Sequence, residues 1–146
     1  MKSYLVLFLM IFFISCGSGE TSFSSENEAE IEAYIKLNNL NAQKTSSGLY
    51  YVIDKQGTGD FPKKNDNVTV NYKGYFTDGR LFDQGQNVTF NLQDVIKGWT
   101  EGLQLFNEDS EGFLLIPSKL GYGSSDRNGI PGGSVLVFGI HLLKVN

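Results

Sequence analysis

The sequence of 146 residues holds one cysteine, Cys16, and one histidine, His141. A single cysteine excludes an internal disulfide framework and any multi-cysteine zinc site. A single histidine leaves a Cys/His dyad as the only histidine-based nucleophile, and Cys16 has another role, argued below. The chemistry must therefore come from aromatic rings, glycines and a few carboxylates. Rings are plentiful at 13% of residues, with 17 glycines beside them. Aromatic side chains favour recognition of compact apolar groups over bond making. The formal net charge of −4 gives no support for a nucleic-acid partner, which usually meets a basic patch. Hydrophobic residues at 40% and charged residues at 19% describe a globular chain long enough for one domain.

The elements that must position these rings are short strands. Residues 48–55 (GLYYVIDK) are β-rich and are followed by turns at 56–60 and 62–67. Val68, Val70, Tyr72, Gly74 and Phe76 alternate with Thr69, Asn71, Lys73 and Tyr75, the period-two pattern of a half-buried strand. Asp78-Gly79 marks a hairpin turn, after which Leu81-Phe82 resumes the strand. Residues 88–91 predict a further short strand. Between Leu92 and Phe106, Val95, Ile96, Trp99, Leu103 and Phe106 recur at helical steps, and Gly98 and Gly102 suggest close approach to a sheet. Residues 111–116 form a strand ended by Pro117, residues 120–133 a loop with five glycines, and residues 135–145 the last strand. There Leu136, Phe138, Ile140 and Leu142 share one face, and His141 is expected to face solvent with no role. These elements predict an α+β fold, an antiparallel five-stranded β-sheet wrapped around one short helix.

The first residues do not belong to that fold. Tyr4–Ile14 is an unbroken apolar run behind Lys2, too short for a stable bilayer span and of signal-peptide length. It ends in Ser15-Cys16-Gly17, which resembles the lipidation site of a bacterial lipoprotein signal, with Phe13 where leucine is usual. The resemblance implies a signal peptide over 1–15, acyl chains on Cys16, and a protein tethered to a membrane in the cell envelope, facing the periplasm. Residues 16–27 read as a flexible tether rich in Gly, Ser and Thr. Residues 28–46 are a short helical extension. Its helix is expected from Glu26 to about Asn38, with Ser25 and Glu28 as a capping box and an apolar stripe through Ile31, Tyr34 and Ile35. That stripe is expected to pack on the chain's own domain, with a dimer contact or spacer as the other reading.

Within 47–146, four motifs occur in order. Val70-Asn71-Tyr72-Lys73-Gly74-Tyr75-Phe76-Thr77-Asp78-Gly79-Arg80-Leu81-Phe82-Asp83 is the first, and Val95-Ile96-Lys97-Gly98-Trp99 with Glu101-Gly102-Leu103 the second. Ile116-Pro117-Ser118 through Tyr122-Gly123 is the third, and Ile130-Pro131 through Leu136-Val137-Phe138 the fourth. Together they resemble the signature of FKBP-type peptidyl-prolyl cis-trans isomerases. The resemblance implies a pocket of Tyr72, Phe82, Asp83, Phe90, Val95, Ile96, Trp99, Tyr122, Ile130 and Phe138, with Trp99 as its base. It implies no cofactor and no metal. The implied substrates are proline-containing proteins or peptides.

An apolar ring-floored pocket suits the rotation of an X-Pro amide, which is slow when uncatalysed. In the twisted transition state amide resonance is lost and the carbonyl dipole shrinks. An apolar, water-poor site favours that state over the planar amide without making a bond. An acceleration of about a millionfold requires about 8 kcal/mol. By resemblance, Tyr122 holds a substrate carbonyl and the Ile96 backbone N–H the next. Asp83, expected as a buried carboxylate, partners the Tyr72 hydroxyl or lies near the twisting carbonyl. It orients and does not act as a general base. The segment between Asp83 and Phe90 is short, and the loop 124–129 is polar, with Asp126 and Arg127. Two functions follow: an isomerase assisting the folding of extracytoplasmic proteins, or a lipid-anchored binding or chaperone module that keeps the fold without essential catalysis.

Overall fold

The computed structural model describes residues 22–146. Helix α1 spans Ser22–Leu37. The strands are β1 Gln43–Lys44, β2 Tyr50–Lys55, β3 Asn67–Tyr75, β4 Leu81–Asn91, β5 Glu111–Ile116 and β6 Leu136–Val145. Helix α2, Lys97–Gly102, runs into a 3-10 turn at Leu103–Leu105, and a second 3-10 turn covers Ser118–Leu120. All strand pairs are antiparallel, in the order β1-β2-β5-β6-β3-β4.

The alternation in β3 and β6 sorts side chains between two apolar layers. Val68, Val70, Leu136, Phe138, Ile140 and Leu142 face α2, where they meet Trp99, Leu103 and Phe106. Val137 and Tyr75 point the other way and join Ile31, Tyr34 and Ile35 of α1. The sheet is thus covered on both sides. The apolar stripe of α1 packs on its own domain, and Ile31 is fully buried there. Gly98 and Gly102 let α2 lie on the sheet. A Cβ at either would fall 2.6 Å from Ile116 or Leu114 side-chain carbons.

The structure differs from the sequence expectation in four places. The sheet has six strands rather than five, because Gln43–Lys44 adds a two-residue edge strand. Helix α1 begins at Ser22, so residues 22–27 of the expected tether are helical and Ser25 lies inside the helix rather than capping it. The short strand at 88–91 is the end of one long strand, β4. Its pairing with β3 shifts between Val70↔Val88 and Tyr72↔Gly85, a bulge that absorbs Gln86 and Asn87 and hides the strand's periodicity. Asn87 sits there at φ 54°, and its N–H donates to Asn71 Oδ1 at 2.7 Å. The helix expected over 92–106 is confined to 97–102 with its 3-10 turn. Residues 92–94 place their N–H groups on Asp66 O, Asn91 Oδ1 and Asn91 O, forming a turn instead. Cys16 and the signal segment lie outside the described residues.

Candidate functional site

Four elements, a turn and a loop converge on a cavity of about 630 Å³ between the sheet and α2. Strand β3 contributes Tyr72, β4 contributes Asp83 and Phe90, and β6 contributes Phe138. Trp99 comes from α2, Val95 and Ile96 from the turn before it, and Tyr122 from the loop after β5. All are residues named from the sequence. Two others, Phe82 and Ile130, do not line the cavity. Phe82 stands edge-on to Phe138 at 5.5 Å and supports it from behind, while Ile130 is buried in the core beneath the loop. Both are apolar residues in the right motifs. A motif cannot tell a side chain that lines a cavity from one that backs it.

Trp99 is the hub of the floor. Its ring meets Tyr72 at 5.1 Å, Phe90 at 5.4 Å and Phe138 at 5.2 Å, each at 82–86°. Edge-to-face pairs at such distances add about 0.5–1.5 kcal/mol each beyond area burial. The indole is held by rings alone, because its buried Nε1–H meets no acceptor among the described residues. A side-chain clamp fixes α2 from below. Glu101 accepts from Thr45 Oγ1 at 2.7 Å and from Ser47 Oγ at 2.7 and 2.8 Å, tying the helix to the loop that joins β1 and β2.

Polar groups stand at the rim. Tyr72 Oη donates to Asp83 Oδ2 at 3.1 Å, the pairing expected from the sequence. Asp83 is exposed and not buried, because it sits on β4, the outermost strand of the sheet. Burial, and then the Asp83 carboxylate, push the Tyr72 phenol up to about 12. Burial and Asp83 also push Tyr122 up, against an opposing pull from Arg127, and no hydrogen bond occupies its hydroxyl among the described residues. The Ile96 backbone N–H likewise finds no backbone acceptor among them. The cavity therefore offers an apolar floor and two available donors.

The raised phenol has a consequence for stability. A tyrosine whose folded value lies above its ordinary value of 10 contributes stability that is complete below pH 10. That contribution is lost as pH climbs through about 12. Tyr72→Phe is expected to flatten part of the alkaline fall in stability, read as urea midpoints between about pH 9 and 11.5. Tyr50, Tyr122 and Lys44, also raised, add to the fall. An unchanged alkaline slope in the variant would contradict the assignment.

Sequence reasoning did not place Asp94, Lys97 and Lys119 on the cavity wall; Arg127, noted from the sequence only as a polar residue of the loop 124–129, lines it too. A signal for Arg127 was present. Arg127 and Ile130 exchange two backbone hydrogen bonds of 2.9 Å across Asn128-Gly129, whose φ values of 49° and 79° make a two-residue hairpin. Asn-Gly is the preferred sequence for that turn. A second concavity, about 590 Å³, lies on the opposite face, with Lys73, Gln84, Glu111 and His141 in its wall; of the rings around Trp99 only Tyr72 borders it. His141, expected to face solvent, is partly buried at 29% exposure and meets Asp109 Oδ1 at 2.9 Å.

Comparison with known proteins bears on the family and the fold. A family model described as FKBP-type peptidyl-prolyl cis-trans isomerase matches residues 58–143. FkpA of Aeromonas hydrophila, named as an isomerase of that type, is 43% identical over 126 residues, covering 82% of this chain and 47% of the relative. FkpA of Escherichia coli K12 is 42% identical over 128 residues, with 84% and 47% covered. The crystal structure of Escherichia coli FkpA aligns with a TM-score of 0.75 and 40% identity, covering 84% of this chain and 61% of that one. A peptidyl-prolyl cis-trans isomerase structure from Pseudomonas syringae pv. tomato aligns at 0.78 and 29% identity, covering 89% and 98%. The chain spans about half the length of the curated relatives it matches. With the match over 58–143 and these identities, the chain belongs to the family of FKBP-type peptidyl-prolyl cis-trans isomerases.

Proposed function

We propose that this chain catalyses cis/trans isomerisation of X-Pro bonds in proteins that fold outside the cytoplasm. The observation that carries this reading is the Trp99 floor, enclosed edge-on by Tyr72, Phe90 and Phe138 with the Tyr72–Asp83 pair at its rim. A prolyl ring is compact and apolar and fits flat on such a floor. With the ring seated, the preceding amide lies at the rim, where Tyr122 Oη and the Ile96 N–H accept the duty of holding substrate carbonyls. Holding both flanks of the amide leaves its own bond free to turn. Water is kept from the twisting carbonyl, whose reduced dipole needs less solvation than the planar amide. Asp83 fixes the Tyr72 hydroxyl and takes no proton, because rotation transfers none.

The cellular setting follows from the residues ahead of α1. Cys16 behind an apolar run supports a lipid-anchored protein of the bacterial envelope, with the domain reaching clients from the membrane surface, on the periplasmic side. Acyl chains on Cys16 would hold it there.

The test is exchange spectroscopy by NMR on short X-Pro peptides with the full chain in detergent. Expected are cis/trans exchange far faster than the uncatalysed tens to hundreds of seconds and incorporation of labelled fatty acid that Cys16→Ser abolishes. A folded protein that accelerates no X-Pro peptide would overturn the enzymatic reading and leave a binding module. Fatty acid incorporation that survives Cys16→Ser would overturn the anchor alone.

A further inference from the structure

Helix α1 lies outside the residues matched by the family model, and it holds one of the few buried polar side chains of the described residues. Asn27 is only 2% exposed. Both polar atoms of its amide are bonded. Nδ2 donates to Gly133 O at 2.9 Å, and Oδ1 accepts from Ser118 N at 2.8 Å and from Ser118 Oγ at 2.7 Å. Ser118 and Gly133 bracket the segment that carries Tyr122 and Arg127. Two backbone bonds link them across it. Gly123 N donates to Ser118 O at 2.8 Å, and Gly133 N donates to Gly123 O at 2.9 Å. The bonds form a closed ring that runs from Asn27 to Gly133, Gly123, Ser118 and back to Asn27.

Gly123 is the ring member next to Tyr122. Without the amide of Asn27 the ring is open, and the base of the loop keeps only its own backbone bonds. We propose that Asn27 is a positioning residue for the substrate site, closing the ring that sets the place of the Tyr122 hydroxyl. The proposal rests on the isomerase reading for its kinetic consequence and on the ring alone for its structural one. Tyr122 grips a carbonyl beside the rotating bond, so its hold is the same in the planar and the twisted amide. Loss of such a hold raises KM and spares kcat.

The experiment compares the full chain with Asn27→Ala, Asn27→Asp and Ile31→Ala. Ile31 is the fully buried neighbour on the same helix and takes no part in the ring. Asn27→Ala is expected to raise KM for an X-Pro peptide by about two- to tenfold, the range set by one net hydrogen bond. Its kcat stays within about twofold. Ile31→Ala loosens the helix and leaves KM unchanged. In a Tyr122→Phe background Asn27→Ala adds no further rise, because the two act as a unit. Asn27→Asp adds a pH readout. Its protonated carboxyl can donate to Gly133 O and close the ring, and its carboxylate cannot. KM of this variant therefore rises with pH through a carboxyl value that burial pushes up, whereas that of the unaltered chain does not.

Amide hydrogen exchange reads the ring without any activity. Gly123 and Gly133 N–H are expected to be protected in the unaltered chain and in Ile31→Ala and exposed in Asn27→Ala. If Asn27→Ala does not fold, Asn27→Asp supplies both readouts. Unchanged KM with unchanged protection overturns the proposal, as does an equal KM shift in Ile31→Ala. A chain that accelerates no peptide, yet loses Gly123 protection in Asn27→Ala, overturns the isomerase reading and upholds the ring.

Discussion

Trp99→Ala is expected to lose about 10- to 70-fold in kcat/KM for X-Pro peptides and about 3–5 kcal/mol of stability. The two losses have different origins. A prolyl ring laid on the indole hides roughly 60–100 Å² of apolar surface, worth about 1.5–2.5 kcal/mol at ~25 cal/mol per Å². The stability loss comes from the cavity left among Tyr72, Phe90 and Phe138, each of which packs its edge or face on the indole. These rings also pair with one another, at 5.9 Å for Tyr72 with Phe90, so collapse into the gap would distort the whole floor.

Trp99→Phe separates the two effects. It keeps an aromatic floor and forfeits no hydrogen bond, since the Nε1–H has no partner among the described residues. Its stability loss is expected near 1–2 kcal/mol, and its activity loss smaller than that of the alanine variant. The measurements are urea denaturation and exchange NMR at a temperature where both variants are folded. A folded Trp99→Ala protein as active as the unaltered chain would remove Trp99 from the site.

The legible part of this chain is the part governed by short periods. Alternation in Val68–Phe76 and Leu136–Leu142 assigned side chains to the correct faces, because each sheet face is covered and a one-residue slip would bury the wrong set. The ring floor was legible through the family resemblance, with Tyr72, Trp99 and Phe138 inside its motifs and Phe90 between the first two. What escaped depends on partners remote in sequence. Asp83 read as buried because the resemblance makes it a member of an apolar pocket. Its exposure follows from β4 being the sheet edge, which strand order decides. Asn27 looked like tether in a run of serines, and nothing local reveals that Ser118 and Gly133, 91 and 106 residues away, complete its amide. The β4 bulge broke a period of two, so one strand read as two. Phe82 and Ile130 had the right chemistry for the cavity, but which apolar residues line it and which back it depends on packing depth.

Gly112→Ala is expected to destabilise the domain by about 3–5 kcal/mol, at or beyond the upper end of overpacking costs. Gly112 sits in β5, paired with Ile53 on one side and Ile140 on the other, in the middle of the sheet. A Cβ there would lie 1.9 Å from Val52 O and 2.9 Å from Val52 C. Those atoms are backbone, so no rotamer change relieves the contact, and β2 must move away from β5 where their register already shifts. Gly139→Ala is the control on the same sheet. Its Cβ would meet the Phe113 ring at 3.5 Å, an ordinary contact, and its effect is expected within about 1 kcal/mol. Urea midpoints at a common slope measure both. Equal midpoints would show that β2 yields freely at the bulge. A large difference carries through to function, because β5 also presents Leu114 and Ile116 to Gly102 and Gly98 of α2. The strand that cannot accept a methyl group at Gly112 is the one on which the helix bearing Trp99 rests.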